Sequence, residues 1–242
     1  MSFKTLSAKV AAQVDQELMS TGGFSIDQLK QPSSLSLKRR KFLSSSGPVT
    51  TVRLYEIYPT QYLLLSRHIN IILKGGDGLV AARHLKLWGY QPSVYYPKPS
   101  SKPLFVGLET QLKNLEIEFI NDLNSISNYQ LIIDAIFGFS FKAGNIREPF
   151  KSVIDTVNKA TQIPILSVDI PSGWDVDNGF LEGGIREPAV LVSLTAPKPV
   201  ANCIDTTKTQ HYVGGRFVGR AFAEKYGIDL YQYKGYDQVL KL

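Results

Sequence analysis

The sequence has a single cysteine and no apolar run as long as a membrane-spanning helix. With only Cys203, an internal disulfide is excluded, which fits a reducing compartment. Crossing a bilayer takes about 18 to 20 predominantly apolar residues, so no membrane association is expected. The first residues also lack the apolar stretch of a secretory signal. We therefore expect a cytoplasmic protein, with the mitochondrion as a further location.

Signatures of common metal and nucleotide sites are missing as well. The three histidines, His68, His84 and His211, do not have metal-ligand spacing, so structural roles are expected for them. The dinucleotide fingerprint GxGxxG is absent, which disfavours a generic nucleotide-binding domain. Cys203 has no partner in the sequence pattern that would make it a nucleophile.

The positive charge of the chain is confined to one segment. The formal net charge is +6, and residues 31–74 hold seven basic residues and one acidic residue, which equals the whole excess. Because the charge is local, we do not expect nucleic acid as a partner. The same segment has no clean apolar period, and only Ile69 to Leu73 resembles a core strand.

From residue 75 onward, apolar runs alternate with helical segments. Such alternation indicates a largely parallel sheet with helices on both faces, in a doubly wound arrangement. Near the start of the chain, ahead of these segments, apolar residues at a four-residue spacing predict a first helix. The length suits a single domain over residues 1–242. The strand candidates are Val94–Tyr96, Leu115–Ile120, Leu131–Ile136, Ile163–Ile170 and Val190–Leu194.

A glycine-rich turn, Gly75-Gly76-Asp77-Gly78, joins a strand to a helix. Glycines let the backbone approach a ligand, and a helix N-terminus favours an anion. Asp77 has two interpretations, because its carboxylate can accept a hydrogen bond from a ligand hydroxyl or cap the helix.

Two aspartates, Asp134 and Asp169, lie at the ends of apolar strands. Functional groups of doubly wound folds gather at the carboxyl ends of strands, so we expect both carboxylates to face one crevice. One would coordinate a cation and the other would move a proton. The alternatives are a helix cap or ion pair for Asp134 and turn stabilisation for Asp169. Lys142 could pair with phosphate or lie on the surface.

Six short motifs occur in the order found in one known family. The motifs are GGDGLVAARHL (75–85), DAIFGFSFK (134–142), IREPF (146–150), VDIPSGWDVD (168–177), LTAPKP (194–199) and HYVGGRF (211–217). In this order they resemble the YjeF N-terminal family, the NAD(P)HX epimerases. The resemblance covers residues 75–242 nearly continuously, and TGGFSIDQL (21–29) is similar to the start of the family.

The resemblance implies a Rossmann-like α/β fold, a three-layer αβα sandwich with a mostly parallel central sheet. It also implies an isomerase that interconverts the R and S epimers of hydrated NADH or NADPH, so that the nucleotide is substrate and not cofactor. A dehydratase that accepts one epimer then completes the repair of the nucleotide. Members of the family are often homodimers.

The resemblance also implies roles for individual positions. Asp169 matches the substrate-binding aspartate and is expected to perform the acid–base step. Asp134 and Ser172 resemble ligands of a potassium ion, one per subunit, and oxygen ligands suit such a hard cation. The other expected substrate-binding residues are Gly75, Gly76 and Asp77 in the glycine-rich loop, and Gly138, Phe139, Ser140, Phe141, Lys142, Ala143 and Gly144 in a second loop.

One stretch departs from the family pattern. The family reads GPGNN before GGDG, whereas residues 70–74 here read NIILK, so that Lys74 replaces an asparagine that supplies an oxygen to the potassium. The family's MELAG helix is not recognisable in KQPSSLSLKRRKF (30–42). We hypothesise that residues of roughly 30–74 derive from a frame error or a mis-predicted splice, which tryptic peptides matching residues 42–53 would refute.

The rival explanation of this segment is real divergence. It would leave a non-catalytic binding or scaffold domain, as in the messenger-RNA-decapping scaffolds and the apolipoprotein-binding protein that reuse the family fold. Asp134, Asp169 and Ser172 favour the enzyme, and Lys74 favours the scaffold.

Overall fold

An eight-stranded sheet lies at the centre of the described part of the chain. The computed structural model describes residues 3–20, 68–141, 144, 146–216, 218–235, 237 and 239–242. The strand order is β3-β2-β1-β4-β5-β6-β7-β8, and every neighbouring pair is parallel except β7 with β8. The strands are β1 (His68–Leu73), β2 (Gln91–Tyr95), β3 (Glu118–Ile120), β4 (Leu131–Ala135), β5 (Ile165–Val168), β6 (Val190–Leu194), β7 (Gln210–Gly214) and β8 (Val239–Lys241).

Helices cover both faces of this sheet. The α-helices of the described residues are α1 (Ala8–Ser20), α2 (Gly76–Leu87), α3 (Pro103–Asn114), α4 (Phe150–Lys159) and α5 (Arg220–Tyr226). One buried cluster joins α2 and α3 to one face, and a second joins α4 to the other. The three-layer αβα fold and the mostly parallel sheet are thus confirmed.

The central strands form because their residues are apolar on both faces. Strand β4 is buried along its whole length, and its side chains alternate between the two helical layers, with Ile133 on the α2 side and Ile132 on the α4 side. Burial of an aliphatic side chain stabilises the fold by about 1.5 to 3 kcal/mol. Such double burial is typical of parallel strands between two helical layers.

Two of the predicted strands are shorter in the structure by more than one residue. The predicted strand Leu115–Ile120 begins only at Glu118, because Leu115 caps α3 and Glu116 has a left-handed φ of 55°. The predicted strand Ile163–Ile170 ends at Val168, because Asp169 has a φ of 68° and turns the chain.

The glycine-rich turn packs the start of α2 tightly against the sheet. A Cβ atom on Gly78 would lie 2.7 Å from the Cβ of Leu73 and 3.1 Å from that of Ala135. Only glycine allows this approach, which places the beginning of α2 at the carboxyl ends of β1 and β4.

Of the basic segment, residues 31–74, the structure describes only the last residues. Residues 21–67 lie outside the described residues, whereas residues 68–73 form β1, the strand between β2 and β4. Ile69 to Leu73 are buried there, as a core strand requires. Among the described helices, none is long and apolar enough to cross a membrane.

Candidate functional site

A cavity of about 870 Å³ opens at the carboxyl edge of the sheet. It is lined by residues at or just after the ends of β1, β4, β5 and β6, and by the inner side of α1. The chain leaves β1 and β4 in opposite directions along the sheet, and a ligand crevice forms at such a switch point. A cavity of this size accommodates a nucleotide.

Asp169 lies in this cavity with its two carboxylate oxygens in different surroundings. Oδ1 accepts hydrogen bonds from Lys198 Nζ at 2.5 Å and from the Leu194 N–H at 3.2 Å. None of the described hydrogen bonds reaches Oδ2, and a Cβ built on Gly138 would lie 3.8 Å from it. Because Gly138 has no side chain, Oδ2 stays open to the cavity.

Lys198 forms a buried ion pair with Asp169. The lysine and aspartate side chains are 4% and 6% exposed, and Lys198 Nζ also donates to the Leu194 carbonyl at 2.7 Å. The ring of Phe139 lies 5.7 Å from the ammonium. The positive charge therefore has a carboxylate, a carbonyl and an aromatic face around it, which compensates for its burial.

Asp134 has quite different surroundings, since its carboxylate is fully enclosed. Ser167 Oγ and the Ser172 N–H donate to Oδ2 at 2.9 and 2.8 Å. Ser172 Oγ and the Ile136 N–H donate to Oδ1. Burial raises the pKa of the Asp134 carboxyl above its usual value, and the hydrogen bonds from Ser172, Ser167 and Ile136 oppose that shift.

The two carboxylates therefore do not share a crevice as the sequence predicts. Asp169 lines the cavity, whereas neither Asp134 nor Ser172 does. Asp134 is still part of β4, and the strand's alternation turns it to the same face as Ile132, towards Ser167 on β5. Asp169 follows the last residue of β5 and is free of that alternation.

The structure brings most of the predicted substrate residues together. Gly75, Asp77, Gly138, Phe139, Ser140, Phe141 and Asp169 line the cavity. Gly76 is buried beneath the turn and Gly144 is exposed, and neither contributes to the lining. Lys142 and Ala143 lie outside the described residues.

Two of the described histidines make contacts that indicate structural roles. His84 stacks on Trp88 at the end of α2, and burial, together with the charge of Arg83, lowers its pKa to about 4. His211 contacts Ser193 Oγ at 2.9 Å on neighbouring strands, and burial lowers its pKa to about 4. Neither lines the cavity. Cys203 is an exposed free thiol.

Several cavity residues were not predicted from the sequence. Lys198 and Thr195 belong to the motif LTAPKP, which contributes to the family resemblance but indicates no role for either residue. Thr195 has a φ of 69°, which is a strained conformation for a β-branched residue, and such strain clusters at functional sites. The apolar residues at and just before α1 indicate a core role, but Val14 on the helix and Leu6 ahead of it also line the cavity. Nothing in their spacing distinguishes the two roles.

Lys74 lies at the β1 end of the cavity. Its Nζ is 5.1 Å from the centre of the Phe137 ring and 5.6 Å from that of Phe150. Among the residues that the structure describes, no carboxylate lies within ion-pairing distance of this ammonium. The aromatic faces are therefore its described partners.

Comparison with known proteins identifies similar chains. Residues 65–200 match the family described as YjeF-related protein N-terminus. A protein of Fusarium vanettenii named NAD(P)H-hydrate epimerase is 45% identical over 250 residues, which cover 100% of this chain and 97% of the relative. A protein of the same name from Candida albicans is 44% identical over 256 residues, 99% of this chain and 98% of the relative.

A solved structure is also similar to this chain. The crystal structure of yeast ynu0 superposes with a TM-score of 0.80 at 38% sequence identity. The match covers 99% of this chain and 100% of the yeast chain.

Proposed function

Because the chain belongs to the family of YjeF-related N-terminal proteins, we propose that it is an NAD(P)H-hydrate epimerase. It is an isomerase that interconverts the R and S epimers of hydrated NADH and NADPH and so serves nicotinamide nucleotide repair. The observation that carries this proposal is the open Oδ2 of Asp169 in a nucleotide-sized cavity at the switch point of the sheet.

The cavity has the features that a dinucleotide needs. The N-terminus of α2 lies beside Gly75, where backbone N–H groups favour a phosphate. Lys74 and Lys102 add positive charge to the wall. The Phe137 and Phe141 rings stack with their centres 4.7 Å apart and offer an apolar face to a base or nicotinamide ring.

Asp169 performs the proton transfers of the reaction. In the forward direction Oδ2 takes up a proton from the surrounding water and passes it to the hydroxyl on C6 of the ring, the C–O bond breaks, and water leaves with the electron pair. The ring becomes an iminium-like cation. Water then adds to the opposite face, and the proton that it releases passes through water back to Oδ2 of Asp169. No electrons are exchanged with a second molecule, so the reaction is an isomerisation.

A potassium ion at Asp134 and Ser172 does not fit the arrangement of these side chains. Each oxygen of the Asp134 carboxylate already accepts two hydrogen bonds, and Ser172 Oγ also accepts the Phe137 N–H at 3.0 Å. A hard cation needs oxygens with free lone pairs. The ammonium of Lys74 adds a charge of the same sign near Phe137. These residues therefore do not support a catalytic role for potassium in this chain.

Potassium dependence is tested by comparing equal concentrations of KCl and NaCl. We expect the same epimerisation rate and the same unfolding midpoint in both salts. A faster rate and a higher midpoint in KCl alone would contradict this expectation. In the variant Lys74→Asn, which restores the family's residue, the oxygens of Asp134 keep their hydrogen bonds, so we again expect equal rates in the two salts.

Three further parts of the proposal have other grounds. A homodimer and functional coupling to an NAD(P)H-hydrate dehydratase depend on the resemblance alone. A cytoplasmic location, with the mitochondrion as a second site, depends on the single cysteine and the apolar pattern of the sequence. Light scattering on the purified chain tests the dimer, and a mixed assay with a dehydratase tests the coupling.

The decisive experiment is an epimer-exchange assay on the purified chain. One epimer of hydrated NADPH is supplied, and the appearance of the other is followed by chromatography. We expect equilibration much faster than in buffer, and the same for hydrated NADH. Exchange at the buffer rate, by a folded chain that still binds the hydrate, would support the non-catalytic scaffold instead.

A further inference from the structure

Lys198 is a buried charge whose place the fold alone does not explain. A buried ion pair contributes little net stability, because desolvation offsets much of the attraction. The helical layers hold apolar clusters around the sheet, whereas this pair lies in the wall of the cavity, after the ends of β5 and β6. Its location suggests a role in the chemistry.

The contacts of Lys198 fix the orientation of one carboxylate. Its Nζ bridges Oδ1 of Asp169 at 2.5 Å and the Leu194 carbonyl at 2.7 Å, and the Leu194 N–H donates to the same Oδ1 at 3.2 Å. Oδ1 is thus held from two directions. Because a carboxylate is planar, fixing Oδ1 also fixes the direction of Oδ2, which faces Gly138.

Backbone strain at the same point indicates that this orientation is functional. Asp169 has a φ of 68°, and Thr195, which follows Leu194, has a φ of 69°. Left-handed conformations of residues other than glycine cost about 1 to 3 kcal/mol and persist where surrounding contacts hold them. Here the Asp169 N–H donates to the Val192 carbonyl at 2.7 Å and the Thr195 N–H to the Gly214 carbonyl at 2.8 Å.

We propose that Lys198 is the positioning residue of the epimerisation, which holds Oδ1 of Asp169 so that Oδ2 points at the reacting ring. This inference rests on the proposed function. An ammonium has three N–H donors, and two have acceptors among the described residues. Lys198 acts through Asp169, so its loss should lower kcat and leave KM nearly unchanged.

The test replaces Lys198 by alanine and then supplies the missing ammonium group as a small free cation. Lys198→Ala lacks the atoms of n-propylammonium, so that ion can enter the space left by the substitution. We expect kcat to fall about 100-fold, as for a misplaced catalytic group, and KM to change less than about threefold. Added n-propylammonium should restore at least about a tenth of the lost kcat. Neutral 1-propanol and bulky tetramethylammonium should not.

Controls separate positioning from a loss of folding. Lys198→Gln, which retains an N–H donor, is assayed alongside, and all rates are taken below each variant's unfolding midpoint. The matched control is Lys208→Ala, which removes a surface ion pair with Asp205 of 2.8 Å and should leave kcat unchanged. A folded Lys198→Ala variant with the wild-type kcat, or one that amines do not rescue, would overturn the inference.

The wild-type rate distinguishes this inference from the proposed function. A folded wild-type chain without turnover would overturn both. An active wild type together with a Lys198→Ala variant of the same kcat would overturn only the role of Lys198.

Discussion

Two aspartates at neighbouring strand ends have opposite environments in this molecule. Asp169 keeps one oxygen open to the cavity, while a buried lysine holds the other. Asp134 lies fully inside the protein, with four donors on its two oxygens. Of these two carboxylates, only that of Asp169 has an oxygen that none of the described hydrogen bonds reaches, as proton transfer to a bound ligand requires.

The largest effect is expected when the open carboxylate is removed. Asp169→Asn should lower kcat by about 10³-fold or more, because the acid–base group is lost. The variant also leaves Lys198 buried without its carboxylate, so its unfolding midpoint should fall. The double variant Asp169→Asn/Lys198→Met removes both charges. It should regain the stability and stay inactive, and recovery of turnover in it would remove Asp169 from the chemistry.

The enclosed carboxylate should respond in stability rather than in rate. Ser172→Ala removes a donor to Asp134 Oδ1 and the acceptor of the Phe137 N–H. Urea unfolding should show a loss of about 3 kcal/mol, since Oδ1 of Asp134 and the Phe137 N–H each lose a buried hydrogen-bond partner. Ser140→Ala, in the cavity wall, is the matched control for stability. Unchanged stability with lost turnover would instead favour Ser172 as a cation ligand.

A second enclosed polar pair, His211 with Ser193, should make the free energy of unfolding depend on pH without affecting the site. Burial lowers the pKa of His211 to about 4, so the unfolded chain takes up a proton first as the pH falls. Stability should therefore be lost between about pH 6.5 and pH 4, by about 2 kcal/mol between pH 7 and pH 5 for this residue. His211→Gln keeps a contact for Ser193 and should flatten this dependence, measured by urea unfolding at both pH values. Equal slopes in the two proteins would contradict the assignment.

The smallest expected effect comes from covering the open oxygen. A methyl group on Gly138 would lie 3.8 Å from Asp169 Oδ2, an ordinary contact that the fold tolerates. Gly138→Ala should lower kcat/KM about tenfold, an effect of roughly 1.4 kcal/mol, by shielding Oδ2. Gly107→Ala, on α3 with open space around it, is the control. A rate equal to wild type would show that the reacting oxygen does not face Gly138.

The sequence predicts the fold well because burial on both faces leaves an unmistakable pattern. The runs at Leu131–Ile136, Ile163–Ile170 and Val190–Leu194 each contain an observed strand. The orientation of the carboxylates could not be read in the same way. It depends on whether the strand ends before or after the aspartate, and an error of one residue turns a side chain to the other face.

Contacts between distant residues explain what the sequence misses. Lys198 lies 29 positions after Asp169, and only the parallel pairing of β5 with β6 brings them together. A lysine after an apolar strand is ordinarily exposed, so nothing in LTAPKP indicates a buried ion pair. The left-handed backbone of Thr195 is likewise set by its hydrogen bond to Gly214 and not by local preference.

The division of roles between the two aspartates is tested most directly by a crystal structure with substrate. The inactive Asp169→Asn variant, soaked with hydrated NADPH, would show where the C6 hydroxyl lies. We predict this hydroxyl within about 3.2 Å of the side-chain atom that replaces Oδ2, as proton transfer requires. A nicotinamide ring bound away from residue 169, or beside an opened Asp134, would contradict the account.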